Sequence, residues 1–151
     1  MKSTPQGWPR ISSAAIYRDA ARMIDWLCDA YGFELRLKVE GDGGSIVHSE
    51  LTYGEGLIMV STERVGKASE RFGVDMKSPL SAGCVTQSMM VYVDDVDAHC
   101  AHARAAGARI TQEPSVHDYG GDYWVDRSYG AMDPEGHVWW VTQRLRNPPA
   151  H

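Results

Sequence analysis

The sequence predicts an α+β fold built from two tandem copies of one strand–helix–strand unit. A repeated spacing is the first indication: Asp19 to Gly32 and Asp94 to Gly107 each span 13 residues, and the second pair begins 75 residues after the first. Asp is favoured at the start of a helix and Gly just beyond its end. The second indication is that strand-like segments precede and follow both helical segments, with Gly-containing turns between them.

The first copy contains one predicted helix and four predicted strands. Apolar residues recur at helical spacing between Asp19 and Gly32, which indicates a helix with one buried face. The next segment, Glu34 to Glu40, alternates between apolar and charged residues, as in a strand with one solvated face. We expect its apolar residues to face the interior; they are Leu35, Leu37 and Val39. The predicted strands are residues 11–17, 34–40, 45–53 and 57–61.

The second copy repeats this order. Its helix is predicted to begin after Asp94 or Asp95 and to end at Gly107. Residues 133–136, Asp-Pro-Glu-Gly, have the residue types of a type I turn that opens the last strand. The predicted strands of this copy are residues 89–93, 109–113 and 137–144.

These segments predict how the chain is organised. The 151 residues are the usual size of one domain. The part between the two copies is rich in charge, Gly and Ser, which is typical of a connecting loop. The predicted parts are an N-terminal tail (1–9), a first module (10–62), a connecting loop (63–87), a second module (88–145) and a C-terminal tail (146–151).

Composition excludes several classes of protein. Hydrophobic residues at 43% and charged residues at 23% are ordinary for a globular protein, and a net charge of −5 disfavours nucleic acid as a partner. No apolar run is long enough for a membrane span, and the first ten residues lack the apolar block of a secretory signal, so we expect a cytoplasmic location. The three cysteines form no CxxC pair; Cys28 and Cys100 are expected as core residues of helices.

Several short motifs, in this order and inside a two-fold repeat, carry a resemblance to a known family. The motifs are Tyr17-Arg18-Asp19-Ala20, Tyr31-Gly32-Phe33-Glu34, the run from Val91 to Ala98, and the run from Asp133 to Trp139. With them the chain resembles the vicinal oxygen chelate superfamily, which includes glyoxalase I, bleomycin resistance proteins and extradiol dioxygenases, and within it the PhnB-like subgroup. The resemblance implies two tandem βαβββ modules whose mixed sheets curve into a cup, with the helices on the convex side, and a homodimer.

The resemblance also implies where a metal would bind. Metalloenzymes of the superfamily place one ligand on each of four strands, and the matching positions here are Ser12, Glu50, Ser88 and Trp140. Only Glu50 is a good ligand for a divalent ion, whereas a stable transition-metal site requires at least three donors. His137 does not complete the set, because strand alternation points it away from the face of Trp140. We therefore expect no metal and no other cofactor.

The remaining candidate residues favour the binding of an organic molecule. His48 and Glu50 lie two residues apart on one strand and are expected on the same face, where they could contact a ligand, act as a base or simply bond each other. Trp140 offers a flat stacking surface, or fills the cup. The stretch His117 to Trp124 combines aromatics with a Gly pair, as in an adaptable pocket rim or a solvated loop. The predicted ligand-binding residues are Ser12, His48, Glu50, Ser88, Met90, Tyr123, Trp124 and Trp140.

Two hypotheses of function follow. The first is a metal-free protein that binds a small aromatic or heterocyclic molecule between the curved sheets, which is similar to drug-sequestering resistance proteins. The second is a glyoxalase-like isomerase, lyase or dioxygenase that uses a metal at an unusual position, or His48 as a general base with Glu50 beside it. A third hypothesis is a protein whose cup is collapsed and binds no ligand.

Overall fold

The structure is a computed structural model that describes residues 1–149. The chain divides into two compact units, with unit 1 ending at Cys84 and unit 2 beginning at Val85. Each unit contains one four-stranded mixed sheet. None of the helices within residues 1–149 is long and apolar enough to cross a membrane.

Unit 1 is a βαβββ module followed by a short helical segment. Its sheet has the order β1-β4-β3-β2, in which β1 and β4 are parallel and the other neighbours are antiparallel. Helix α1 contacts all four strands of this sheet. The elements are β1 (Ser13–Tyr17), α1 (Ala20–Tyr31), β2 (Glu34–Glu40), β3 (Ile46–Tyr53), β4 (Gly56–Thr62) and α2 (Pro79–Ala82).

Unit 2 repeats the βαβββ module. Its sheet has the order β5-β8-β7-β6, again with one parallel pair, β5 and β8. The elements are β5 (Ser88–Tyr92), α3 (Val96–Ala105), β6 (Arg109–Asp118), β7 (Val125–Met132) and β8 (Val138–Arg146). The α+β class and the tandem βαβββ order predicted from the sequence are therefore confirmed.

The predicted helix boundaries are confirmed by their capping groups. Asp19 accepts a hydrogen bond from the backbone N–H of Arg22, and Asp95 accepts one from Ala98, so each satisfies a free donor of the first helical turn. Gly32 ends α1 with φ of 78°, a left-handed conformation that a residue with a Cβ adopts only with strain. Of the two caps considered for α3, Asp95 is the one used.

The turn before the last strand is stabilised by hydrogen bonds to Asp133. The backbone N–H of Gly136 bonds the carbonyl of Asp133, as the predicted four-residue turn requires. The Asp133 carboxylate also accepts the backbone N–H groups of Glu135 and His137 and the indole N–H of Trp139. Asp133 and Trp139 are both buried, so this carboxylate joins the turn to the core of unit 2.

The structure corrects the prediction for β2. All seven residues of the strand are exposed, and Leu35, Leu37 and Val39 keep 42–44% of their surface accessible. Two features explain this. The strand lies at the edge of the sheet, and a register shift between Leu35 and Leu37 interrupts the alternation that the sequence suggests.

Two other segments are more regular than the sequence predicts. The connecting segment contains a 3₁₀-helix, Gly66–Phe72, as well as α2, and Arg64 pairs with Met76. Strand β6 extends to Asp118, so the stretch predicted as a rim loop is the end of a β-hairpin. Its turn is closed by hydrogen bonds from Tyr119 to Trp124 and from Tyr123 to Gly120.

The core of each unit lies between its helix and its sheet. In unit 1 the buried side of the sheet carries Leu51 and Val60, and in unit 2 it carries Trp139 and Val141, all fully inaccessible. Cys100 is buried as predicted, whereas Cys28 is only half-buried. Burial raises the pKa of both thiols, which keeps them protonated.

Candidate ligand-binding faces

Each sheet has a second side that is turned away from the buried core. In unit 1 this side carries Glu50 and Met59, which are paired across β3 and β4, and Ala14, which pairs with Met59. Paired residues on neighbouring strands lie on the same side of a sheet. We call this side the open face of unit 1; the corresponding side of unit 2 carries the paired residues Met90 and Trp140.

The open face of unit 1 contains a charged cluster centred on Glu50. Arg36 places Nε and Nη2 each 2.7 Å from Glu50 Oε2, and His48 Nε2 lies 3.1 Å from Oε1. The structure thus brings His48 and Glu50 onto one face as the sequence predicts. Hydrogen bonding from His48 lowers the pKa of Glu50, burial opposes this, and Arg36 lowers it further. Glu50 is therefore an ionised carboxylate whose charge is compensated inside the protein.

Arg36 is a part of this cluster that sequence reasoning missed. The register shift beside it brings it next to Glu50, and strand alternation contains no signal of such a shift. Trp8 stacks over its guanidinium at 5.2 Å, and the carbonyl of Gly7 accepts a hydrogen bond from Nη1. Residues predicted as a tail thus hold Arg36 in place, and a cavity of about 650 Å³ lies between residues 4–9 and the β3–β4 turn.

Ser12 lies immediately before β1 and is half-buried. Its hydroxyl oxygen is buried and has no hydrogen-bond partner among residues 1–149. A buried hydroxyl ordinarily finds a partner. The hydrogen-bonding capacity of this hydroxyl is therefore unused within residues 1–149.

The open face of unit 2 is aromatic. The Trp140 ring lies against Gly130, where an added Cβ would be 3.4 Å from Cζ3 and 3.5 Å from Cη2 of the indole. Gly130 pairs with Trp140 across β7 and β8, so the two lie on the same side of the sheet, and a Cβ at position 130 would make ordinary van der Waals contact with the ring. On the other side of Trp140, Met90 is 58% exposed. Ser88 is also exposed.

A second charged cluster lies on the same face. Arg144 places Nε 2.5 Å from Oδ1 of the buried Asp126 and donates through Nη2 to the Tyr92 hydroxyl at 2.8 Å. Its guanidinium also stacks on the rings of Tyr92 and Trp124, each at 5.4 Å. Tyr123 meets Trp124 edge-on, with ring centroids 6.1 Å apart. The predicted rim residues Tyr123 and Trp124 are thus joined to this face through Arg144.

Sequence reasoning missed Arg144, Asp126 and Tyr92. Arg144 lies four residues after Trp140 on β8, and Tyr92 lies two residues after Met90 on β5. Because side chains alternate along a strand, this spacing alone places each on the face of the predicted residue. The sequence contains no such signal for Asp126, because the register that pairs it with Arg144 across β7 and β8 cannot be read from one strand.

The residues at the metal positions of the family do not form a metal site. They supply two hydroxyl groups, one indole and one carboxylate, and the carboxylate of Glu50 is already bonded to Arg36 and His48. Hydroxyl and indole groups are poor ligands for Zn²⁺, Ni²⁺ or Fe²⁺. Across residues 1–149, no group of three or more His, Cys, Asp or Glu side chains is placed so that it could hold a metal ion.

Two tandem modules, each with one helix and a β1-β4-β3-β2 type sheet, define a class of small α+β proteins. The family model of the Glyoxalase/Bleomycin resistance protein/Dioxygenase superfamily matches residues 10–141. The chain therefore belongs to this superfamily. Among curated proteins, none matches the chain.

Several solved structures are similar along most of the chain. TioX from Micromonospora sp. ML1 is 32% identical, covers 91% of this chain and 100% of its own, and superposes with a TM-score of 0.66. A glyoxalase/bleomycin resistance protein/dioxygenase family enzyme from Burkholderia phytofirmans PsJN is 20% identical, with coverages of 89% and 97% and a TM-score of 0.60. A glyoxalase I mutant from Zea mays is 21% identical, covers 88% of this chain and 43% of its own, and has a TM-score of 0.63.

Proposed function

We propose that the chain binds a small aromatic or heterocyclic molecule on the open faces of its sheets, without a metal ion, and that it sequesters this molecule. The observation that carries the proposal is Trp140. The edge of its ring that carries Cζ3 and Cη2 lies beside Gly130 on the open face of unit 2. A ring in this place offers a ligand a rigid stacking surface, at a position where metalloenzymes of the family carry a ligand atom.

Other exposed side chains on the open face of unit 2 and at its rim support stacking as the mode of binding. Met90, Tyr92, Tyr123 and Trp124 are all at least 37% exposed. Large apolar side chains that stay exposed together are typical of interaction sites. Met adapts its shape to different ring systems, and Tyr and Trp contribute contact area with few rotatable bonds. Ser88 adds a hydroxyl at the start of β5.

The open face of unit 1 carries polar groups that can bind a ligand on that face by themselves. His48 is half exposed, with 36% of its side chain accessible, and the Ser12 hydroxyl has no partner within residues 1–149. A ligand site of this kind combines an apolar surface with a few directed polar groups. The chemistry of the donor set favours binding without a metal, because Glu50 is already bonded to two side chains.

The test is a thermal-shift and calorimetric screen against planar aromatic metabolites and antibiotics. We expect at least one compound to raise the melting temperature of the wild type, and Trp140→Ala to weaken its binding about tenfold or more, because one stacked ring contributes on the order of 1–3 kcal/mol. Trp26→Ala is the matched control, since Trp26 is a half-buried indole on α1 that packs against Tyr31. Equal losses in both variants would contradict the proposal.

Three further expectations come from the resemblance to the family. We propose that the chain belongs to the PhnB-like subgroup, that it forms a homodimer and that it acts in the cytoplasm. Sedimentation equilibrium of the purified chain measures the oligomeric state, and a mass equal to one chain at micromolar concentration would contradict the dimer.

A further inference from the structure

On the open face of unit 1, the charge of Glu50 is compensated by Arg36. Glu50 is 7% exposed, and its carboxylate meets a guanidinium through two nitrogen atoms. Arg36 in turn is held by the Gly7 carbonyl and the Trp8 ring. A carboxylate with such a partner does not need a cation from outside. The cluster therefore gives no electrostatic preference for a positively charged ligand.

The position of the hydrogen on the His48 ring follows from the contact of the ring with Glu50. Glu50 Oε1 is an acceptor, because the carboxylate is ionised, so the His48 nitrogen 3.1 Å away from it must carry a hydrogen. In a neutral imidazole only one nitrogen carries hydrogen. Nε2–H bonded to Glu50 therefore leaves Nδ1 as a bare acceptor. No group within residues 1–149 donates a hydrogen bond to Nδ1.

Apolar side chains lie beside this acceptor on the open face of unit 1. Val39 pairs with His48 and Leu37 pairs with Glu50 across β2 and β3, so both lie on the open face. They are 42% and 43% exposed. Met59 pairs with Glu50 from the other side. The ring of His48 thus presents one hydrogen-bond acceptor among apolar side chains.

We propose that His48 Nδ1 selects aromatic ligands that carry a hydrogen-bond donor, such as a ring N–H or a phenolic O–H, and that are not cationic. This inference deepens the proposed function and rests on it. Arg36 and Glu50 are positioning residues: Glu50 holds the hydrogen of His48 on Nε2, and Arg36 fixes the orientation of the Glu50 carboxylate through two nitrogen atoms. The acceptor of the site is therefore set by a pair of residues that do not touch the ligand.

The tautomer is tested first and needs no ligand. Nitrogen NMR of histidine-labelled protein at about pH 8, where imidazole is ordinarily neutral, distinguishes hydrogen on Nε2 from hydrogen on Nδ1. We expect Nε2–H in the wild type. In Glu50→Gln the amide oxygen faces Arg36 and the amide NH₂ faces His48, so the hydrogen should move to Nδ1. Hydrogen on Nδ1 in the wild type would overturn the inference.

The ligand preference is tested with indole, 1-methylindole and quinoline, which provide a donor, a methylated donor and an acceptor. Calorimetry of the wild type should show indole binding about three- to tenfold more tightly than 1-methylindole, the usual effect of one neutral hydrogen bond. His48→Phe should abolish this difference while the ring contact remains. Glu50→Gln should reverse the preference toward quinoline, which excludes the size of the methyl group as the cause.

The outcomes separate the inference from the proposed function. Equal affinities for indole and 1-methylindole in the wild type, with both compounds still bound, would overturn the donor selection and leave aromatic binding intact. If none of these aromatics nor any compound of the wider screen binds, the proposed function fails and the inference fails with it.

Discussion

The single side chain of Asp133 joins the turn before β8 to the buried Trp139. Its two carboxylate oxygens accept two backbone N–H groups of the turn and the indole N–H of Trp139. Trp139 is fully buried, so its N–H has no access to water. A buried donor without an acceptor costs more free energy than the hydrogen bond itself contributes. The sequence predicts the turn from the residues Asp-Pro-Glu-Gly, but not the bond to the indole.

We therefore expect Asp133→Ala to lower the free energy of unfolding of unit 2 by about 2–4 kcal/mol. Asp133→Asn keeps one oxygen for the backbone N–H groups but turns an NH₂ toward the indole, so the loss should be about half as large. Urea unfolding followed by tryptophan fluorescence measures both variants. An Asp133→Ala variant as stable as the wild type would show that the carboxylate is not needed.

The candidate residues of unit 1 show the limit of reading residues one at a time. Strand alternation correctly placed His48 and Glu50 on one face, since they are two positions apart. Arg36 compensates the charge of Glu50 and comes from a different strand. Its contribution depends on how β2 is aligned with β3, which includes an irregular step that the alternating pattern hides.

At the scale of elements, β7 and β8 fit together through the pairing of Gly130 with Trp140. An Ala at position 130 would bring its Cβ within 2.9 Å of Thr111 Oγ1, in addition to the contact with the indole. The strain is steric rather than a matter of backbone conformation, because Gly130 has no positive φ. The Thr111 side chain on β6 must therefore shift, whereas the indole contact is an ordinary one.

We expect Gly130→Ala to destabilise the protein by about 1–3 kcal/mol, as overpacking does, because its Cβ approaches Thr111 too closely. Gly121→Ala is the control, since no atom lies within 4 Å of its added Cβ and its φ is not positive. Thermal unfolding and near-ultraviolet circular dichroism of the two variants provide the comparison. A Gly130→Ala variant as stable as Gly121→Ala would contradict this expectation.

Strand β2 illustrates why a clear pattern can mislead. Its alternation of apolar and charged residues is regular, and yet its apolar residues stay exposed. An alternating sequence shows only that the two sides of a strand differ in polarity. The apolar side is buried only if another element covers it. An edge strand with a register shift presents part of its apolar side to the open face of its own sheet.

At the scale of the whole molecule, the absence of a donor set at the family positions has a measurable consequence. A resident metal contributes its binding free energy to stability, so its removal lowers the melting temperature. We expect protein purified without chelators to contain far less than one transition-metal atom per chain, and dialysis against EDTA to leave the melting temperature unchanged. One equivalent of Zn, Ni or Fe by elemental analysis, lost together with stability in EDTA, would refute metal-free binding.

The sequence by itself determined the order of elements, the helix caps, the turn at residues 133–136 and the membership of the superfamily. These features depend on local preferences and on a repeat, which are written along the chain. Only the tertiary structure decided that Arg36 compensates Glu50, that Arg144 is held by Asp126 and stacks on two aromatic rings, and that Gly130 lies against Trp140. Each of these contacts joins different strands, and strand registers with bulges are set by packing rather than by the residues of one segment.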